Sequence, residues 1–181
     1  MSAGAPLART DGRPAGPRAR PAVSFRVIHD RDRDFLFVLY ATMREWEFAL
    51  TIWTDADKAD FLKQQFEAQD RSYRSSFPGA VSRIIVLDGV DVGRLTVDRR
   101  DDCLHLIDLA LLPDHRGRGI GTDILRSLLN EAHGGKVPVR LNVQAGNPAL
   151  RLYLRHGFRQ VGRAGHHLTL EWRPDTGPRE I

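Results

Sequence analysis

The chain has 181 residues, of which 41% are hydrophobic and 28% charged, with a formal net charge of +4 at pH 7. This length allows one domain with a buried core, and the composition is that of a soluble globular protein. The single cysteine, Cys103, excludes an internal disulfide framework and fits a reducing compartment. Because no signal-peptide core and no apolar run near the ~20 residues of a membrane helix is found, we expect a cytoplasmic protein without a membrane partner.

Most of the positive charge precedes the predicted domain. Residues 1–22 hold four arginines against one aspartate, a net charge of +3, which leaves +1 for residues 23–181. That segment is rich in Pro, Gly and Ala, so we expect a disordered basic tail, followed by a domain at 23–173 and a C-terminal tail at 174–181. A nucleic-acid-binding protein should carry its basic patch on the folded face, so nucleic acid is not an expected partner.

The hydrophobic pattern changes its period along the chain. Residues 23–28 alternate like a strand, and two helical patterns follow, the second with Thr54 or Asp55 as N-cap. A period of two at residues 80–111, with a turn at Asp88-Gly89, predicts three consecutive antiparallel strands. The complete predicted order is β, α, α, β, β, β, α, β, α, β, β. It indicates an α/β domain of the α+β type, with a mixed, mainly antiparallel sheet of about seven strands flanked by about four helices.

A glycine cluster, "RGRGIG" at 116–121, lies between a predicted strand and a predicted helix. The first N–H groups of a helix lack intrahelical acceptors, and the helix dipole adds positive charge there. The cluster contains Gly117, Gly119 and Gly121, which let the backbone close on a phosphate, with Arg116 and Arg118 as donors. Pyrophosphate suits this arrangement. Thr122 stands where a dinucleotide-binding fingerprint needs glycine, and a Walker A lysine is absent, so a different pyrophosphate carrier is indicated.

The cluster and its surroundings resemble the GCN5-related N-acetyltransferase (GNAT) family. "RGRGIG" fits the R/Q-x-x-G-x-G/A loop of that family, and the preceding "LALLP" fits its bulged fourth strand. "NPALRLYLRHGF" fits its later A-x-x-L-Y-x-x-x-G-F segment, in the expected order. The predicted order of elements matches from Val23 to Trp172, which implies the acyl-CoA N-acyltransferase fold.

The resemblance implies acetyl-CoA as co-substrate and direct acetyl transfer to a primary amine in a ternary complex, without a metal. The implied coenzyme contacts are the end of the bulged strand, the glycine loop, and an asparagine and a tyrosine near the last helix. These residues are Leu109, Ala110, Leu111, Arg116, Gly117, Arg118, Gly119, Ile120, Gly121, Thr122, Asn147 and Tyr153. A non-catalytic acyl-CoA-binding regulatory module is the alternative interpretation, and the retained Tyr153 argues against it.

Tyr153 is the candidate general acid. A phenol with a reference pKa of about 10 is protonated at neutral pH, as a general acid must be. The resemblance places Tyr153 at the position of the family tyrosine that points at the coenzyme sulfur.

Two residues of the strand "LHLIDLALLP" are candidates for the general base. His105 has a reference pKa of about 6.5, which suits a base, and several members of the family carry a catalytic Glu or His at this distance before the loop arginine. Asp108 lies nearer the expected thioester and can act through water or orient the amine. A separation of three positions puts the two on opposite faces of a regular strand, although a bulge can re-aim one of them. A third alternative needs no base, because an α-amine of pKa about 7.7–8.0 is partly neutral already.

The acceptor is expected to lie against the first two helices and the segment that joins them. Glu45 and Glu47 can attract a cationic amine there, and Trp53 can form an aromatic wall. A small-molecule amine and a peptide amine fit equally well. The residues leave the oligomeric state open, a homodimer included.

Overall fold

A computed structural model of the protein describes residues 22–44 and 53–174. The predicted basic tail, apart from Ala22, lies outside the described residues. Glu45 and Glu47 lie outside them too, as does the predicted C-terminal tail after Pro174. Within the described ranges, no helix is long and apolar enough to cross a membrane.

The described part of the chain forms strands and helices in the predicted order. The strands are β1 (Val23–Val27), β2 (Ala80–Leu87), β3 (Val90–Arg99), β4 (Leu104–Leu111), β5 (Val139–Gln144), β6 (Arg159–Ala164) and β7 (His167–Trp172). The helices are α1 (Arg33–Thr42), α2 (Asp55–Ser76), α3 (Ile120–Gly135) and α4 (Leu150–Arg155), and short 3-10 turns lie at Asp30–Asp32 and Pro113–His115. The predicted fold class is confirmed.

Local chemistry explains two of the boundaries. Thr54 is the N-cap of α2: its hydroxyl accepts from the N–H of Asp57 at 3.2 Å, and the Asp57 carboxylate accepts from the Thr54 N–H at 3.1 Å. This reciprocal pair is a capping box, which satisfies two donors that the first turn leaves free. The turn between β2 and β3 places Asp88 at φ 49° and Gly89 at φ 84°, the two positive values of a type I′ hairpin.

The sheet has the order β1-β2-β3-β4-β5-β7-β6, and β4 with β5 is its one parallel pair among the described strands. The main hydrophobic core joins α3 to the inner strands on one face of the sheet. A smaller cluster joins α1 and α2 to the opposite face through Leu36, Tyr40, Phe66 and Ile84. Adjacent residues of β2, Ile84 and Ile85, therefore enter different cores, as the alternation of a strand requires.

The parallel pair is short, and the strands then separate. β4 and β5 pair only from Leu104 opposite Val139 to Leu106 opposite Leu141. Beyond that point β4 continues along β3 and β5 continues along β7. Residues 107–111 and 142–144 are consequently unpaired with each other in the middle of the sheet, and the gap between these two strand edges is called the cleft below.

A bulge in β4 lies where the cleft begins. Thr96 of β3 is opposite Asp108, but the next residue, Val97, is opposite Leu106, so Ile107 is the extra residue. Asp98 is opposite His105. Thr96 and Asp98 are two apart on one strand, and partners directly opposite share a face. His105 and Asp108 therefore lie on the same face, and the expectation from regular alternation that they lie on opposite faces is wrong.

Gly93 of β3 lets the end of β4 approach closely. A Cβ atom at this position would lie 2.2 Å from the carbonyl oxygen of Ala110 and 2.9 Å from Cδ2 of Leu111. We predict that Gly93→Ala lowers the free energy of unfolding by about 1–3 kcal/mol, because the β4 backbone must move away. Urea unfolding measures this effect.

Gly162→Ala is the matched control in another strand. A Cβ there would lie 3.5 Å from Cβ of Thr169, an ordinary contact. We expect this variant to be neutral or stabilised by up to about 1 kcal/mol, since alanine restricts the unfolded chain. Equal urea midpoints for the two variants would contradict the close-approach argument.

Candidate active site

The inner edge of β4 presents backbone groups to the cleft. The N–H of Leu112 donates to the carbonyl of Val92 at 2.9 Å, so Leu112 directs its backbone groups toward β3. Because successive residues of a strand direct these groups to opposite edges, Leu109 and Leu111 direct theirs into the cleft. Ala110 is buried and faces β3. An extended ligand can therefore pair with β4 as a further strand would.

The glycine cluster forms an anion cradle at the mouth of this cleft. Gly117 and Gly119 have φ values of 71° and 87°, which glycine adopts without strain, and the space where their side chains would stand is empty. Gly119 is the N-cap of α3 and supplies no side-chain acceptor to the first turn. The N–H groups of Ile120, Gly121 and Thr122 therefore remain available to an anion.

The arginines of the cluster differ in role. Nε of Arg116 donates to the carbonyl of Leu111 at 2.8 Å, and its Nη2 lies 3.2 Å from Sδ of Met43. Arg116 thus ties the cradle both to the end of β4 and to the end of α1. Arg118 is exposed and makes no ion pair within the described ranges. Open glycines, free N–H groups and an exposed guanidinium together fit the pyrophosphate of a coenzyme.

Tyr153 lies on α4, beside the cradle. A Cβ on Gly121 would lie 3.6 Å from Cδ2 of Leu152, so α4 packs against the first turn of α3. The Tyr153 ring is buried and stacks edge-on against Phe158, with centroids 5.7 Å apart. Burial and the nearby Asp108 carboxylate raise the pKa of Tyr153 to about 12. The phenol therefore holds its proton throughout the physiological range.

Asp108 is ion-paired with an arginine that the sequence did not reveal. Nε of Arg94, on β3, donates to Oδ2 of Asp108 at 2.7 Å, and Nη2 lies 2.7 Å from the same oxygen. Nη2 also donates to Oε1 of Gln69, on α2, at 3.4 Å. Burial by itself lowers the pKa of Arg94, but the carboxylate outweighs it and the pKa is raised. The pair lies on the face of the sheet that α1 and α2 cover.

Tyr73 is a second tyrosine in reach of Asp108. It lies near the end of α2, and burial together with the Asp108 carboxylate raises its pKa to about 12. Arg94 and Arg44 act in the opposite direction on the same phenol. The Asp108 carboxylate thus acts electrostatically on a tyrosine of α4 and on a tyrosine of α2. Neither Arg94 nor Tyr73 has a motif: the pairing of β3 with β4 brings Arg94 to Asp108, and the position of α2 against the sheet brings Tyr73 near it.

His105 lies at the closed end of the cleft, where β4 is still paired with β5. Its ring centroid is 5.9 Å from that of Phe77, at the end of α2. Burial lowers the pKa of His105, and the charges of Arg100 and Arg140 lower it further. The imidazole is therefore neutral at pH 7.

The other candidate residues have local roles in the structure. Oδ1 of Asn147 accepts from the N–H of Ala149 at 2.9 Å, which satisfies a donor just before α4. Trp53 is 42% exposed and stacks edge-on against Phe61 at 5.1 Å. Their contacts with coenzyme and acceptor stay predictions. No group of three or more His, Cys, Asp or Glu that could hold a metal ion occurs in residues 22–44 and 53–174.

Comparison with known proteins agrees with the fold described above and with the resemblance to the GNAT family. Residues 80–160 match the family model described as an acetyltransferase (GNAT) domain. The PaiA N-acetyltransferase of Thermoplasma acidophilum, solved with coenzyme A, is 16% identical with a TM-score of 0.64, over 84% of this chain and 99% of that one. A GCN5-related N-acetyltransferase of Rhodopseudomonas palustris is 18% identical with a TM-score of 0.59, over 86% and 96% of the two chains. An acetyltransferase of Thermus thermophilus is 21% identical with a TM-score of 0.56, over 84% and 96%.

The neutral state of His105 has a consequence for acid stability. Because its pKa is lowered in the folded protein, the unfolded chain binds this proton more readily, and stability falls as the pH drops below about 6.5. We predict a shallower loss of urea stability between pH 7 and pH 5 in His105→Asn than in the wild type. His166→Asn, an exposed position in the β6–β7 turn, should keep the wild-type slope. Equal slopes in all three proteins would show that His105 does not contribute.

Proposed function

We propose that this chain belongs to the GNAT family and transfers an acetyl group from acetyl-CoA to a primary amine by direct transfer in a ternary complex. One observation carries the proposal: a cradle of free N–H groups stands at the mouth of a cleft lined by unpaired strand backbone. The first feature suits a pyrophosphate, and the second suits an extended amide chain.

The coenzyme would be held by two kinds of backbone contact. The N–H groups from Gly117 to Thr122, with Arg118, would bind the pyrophosphate. Leu109 and Leu111 would pair with the pantetheine arm at the inner edge of β4. Asn147, at the start of α4, is proposed as a further contact through its side-chain amide.

When bound, acetyl-CoA supplies a thioester whose acetyl carbon forms a bond to the amine nitrogen as its bond to sulfur breaks. Tyr153 would donate a hydrogen bond to the departing sulfur. Its pKa of about 12 is well above the ~8.5 of a thiol, so the phenol keeps most of its proton while it stabilises the developing charge. Backbone N–H groups near Leu111 would stabilise the carbonyl oxygen.

The amine must lose a proton, and the two candidate bases lie at different positions relative to the cleft. His105 is neutral at pH 7, but it lies where β4 and β5 are still paired, outside the open part of the cleft. Asp108 lies at the open part but is bound to Arg94. An acceptor with a pKa of about 7.7–8.0 needs neither, because solvent can take its proton. We therefore propose an amine of this low basicity, small or peptidic, as the acceptor.

Calorimetric titration of acetyl-CoA tests the coenzyme site. We predict that Gly119→Asp weakens binding at least about tenfold, equivalent to ~1.4 kcal/mol, because a carboxylate enters the anion cradle. Gly89→Asp is the matched control, since Gly89 has a φ of 84° against 87° for Gly119 and equally open surroundings. The control should bind like the wild type. A wild type that does not bind acetyl-CoA would refute the proposed function.

Tyr153→Phe separates binding from chemistry. Phenylalanine keeps the contact with Phe158 and removes only the hydroxyl, so coenzyme affinity should stay within about threefold. We predict that kcat for thiol release with a primary amine falls about 100-fold, the usual effect of losing an acid or a hydrogen-bond donor. An unchanged kcat would show that the Tyr153 hydroxyl has no role in the reaction, and it would not bear on the proposed coenzyme site.

A further inference from the structure

The ion pair between Arg94 and Asp108 is the most buried arginine–carboxylate pair in the described part of the chain. The side chains are 12% and 19% exposed, whereas the other such pairs each have at least one partner that is 30% exposed or more. Withdrawing two charges from water costs free energy that their attraction repays only in good geometry. A pair at this position therefore needs an explanation other than stability.

Arg94 contacts only one of the two carboxylate oxygens of Asp108. Nε and Nη2 of Arg94 both converge on Oδ2 of Asp108. Oδ1 accepts no hydrogen bond from the described residues. Arg94 thus fixes the carboxylate through one oxygen and leaves the other oxygen free to accept a hydrogen bond.

The surroundings of the carboxylate identify the side from which an acceptor can approach. Tyr153, on the coenzyme side, and Tyr73, on the side of α2, both have a pKa raised in part by Asp108. Asp108 follows the bulge at Ile107, where the strands have just separated. Because Arg94 also contacts Gln69 of α2 and Asp108 stands where the inner edge of β4 is unpaired, we place the free oxygen between the proposed coenzyme arm and α2.

We propose that Arg94 is a positioning residue: by holding Oδ2, it presents Oδ1 of Asp108 to the N–H of the acceptor amine, with Tyr73 beside it. Asp108 then binds and orients the amine, and it is not the base that removes the proton. This inference rests on the proposed function, and it selects acceptors whose amine is protonated when it arrives. The proton leaves to solvent before the nitrogen attacks.

Steady-state kinetics of thiol release test this role. The acceptors are glycinamide, alaninamide and glycylglycine, whose α-amines have the low basicity proposed above, and the one with the lowest KM is used with saturating acetyl-CoA. We expect Asp108→Asn and Arg94→Met to raise the KM for the amine at least about tenfold, with kcat and the KM for acetyl-CoA within about threefold. Arg94→Lys should restore the KM to within about threefold of the wild type, because one ammonium can reach the single oxygen that both nitrogens contact.

Arg99→Met is the matched control on the same strand. Arg99 pairs with Glu131 at 2.5 Å on the side of α3, away from the cleft, so its loss should leave every kinetic constant unchanged. Asp108→Asn preserves the shape of the side chain, which keeps the test open if Arg94→Met folds poorly.

The outcomes separate the inference from the proposed function. A loss of kcat with an unchanged amine KM in Asp108→Asn would overturn the inference and make Asp108 the base. Equal effects of Arg94→Lys and Arg94→Met would also overturn it. A wild type that binds acetyl-CoA and acetylates none of the three amines would instead refute the proposed function. A raised KM, rescued by lysine, supports both.

Discussion

The separation of β4 from β5 after three residue pairs is the constraint on which the site depends. Backbone N–H and C=O groups need hydrogen-bond partners. In a continuous sheet, the groups of Leu109 and Leu111 would be hydrogen-bonded to a neighbouring strand. β4 stays paired with β3 and β5 stays paired with β7, so the inner edges of β4 and β5 are left unpaired in the middle of the sheet after Leu106 and Leu141. Each of the two strands is held on its outer side by a neighbour, β4 by β3 and β5 by β7.

The bulge at Ile107 determines which side chains of β4 lie on each face of the sheet beside that gap. One additional residue changes the phase of β4, so that Leu109 and Leu111 join the core beneath α3 while Asp108 joins the opposite face. That face carries Arg94 from the neighbouring strand. The same residue thereby separates an apolar face, next to the proposed coenzyme site, from a charged face in the same short strand.

The charge of Asp108 affects side chains on two helices that pack against the sheet. The Asp108 carboxylate raises the pKa of a tyrosine on α4 and of a tyrosine on α2, although the two helices cover different parts of the sheet. Arg94 balances this negative charge, and Gln69 connects the pair to α2. The Asp108 carboxylate therefore acts on the tyrosine proposed as hydrogen-bond donor and on a tyrosine of α2, whereas Arg94 acts on the Tyr73 phenol only.

The sequence by itself determined the order of elements, the α3 cradle and the position of Tyr153, because these follow from local periodicity and from motifs of adjacent residues. Thr54 and Asp88-Gly89 are further cases, since caps and turns involve neighbours in the chain. Only the tertiary structure decided that His105 and Asp108 share a face and that Arg94 binds Asp108. A bulge and a cross-strand register arise from the pairing of distant segments, and Arg94 in "DVGRLTVDRR" has the local pattern of any exposed strand residue.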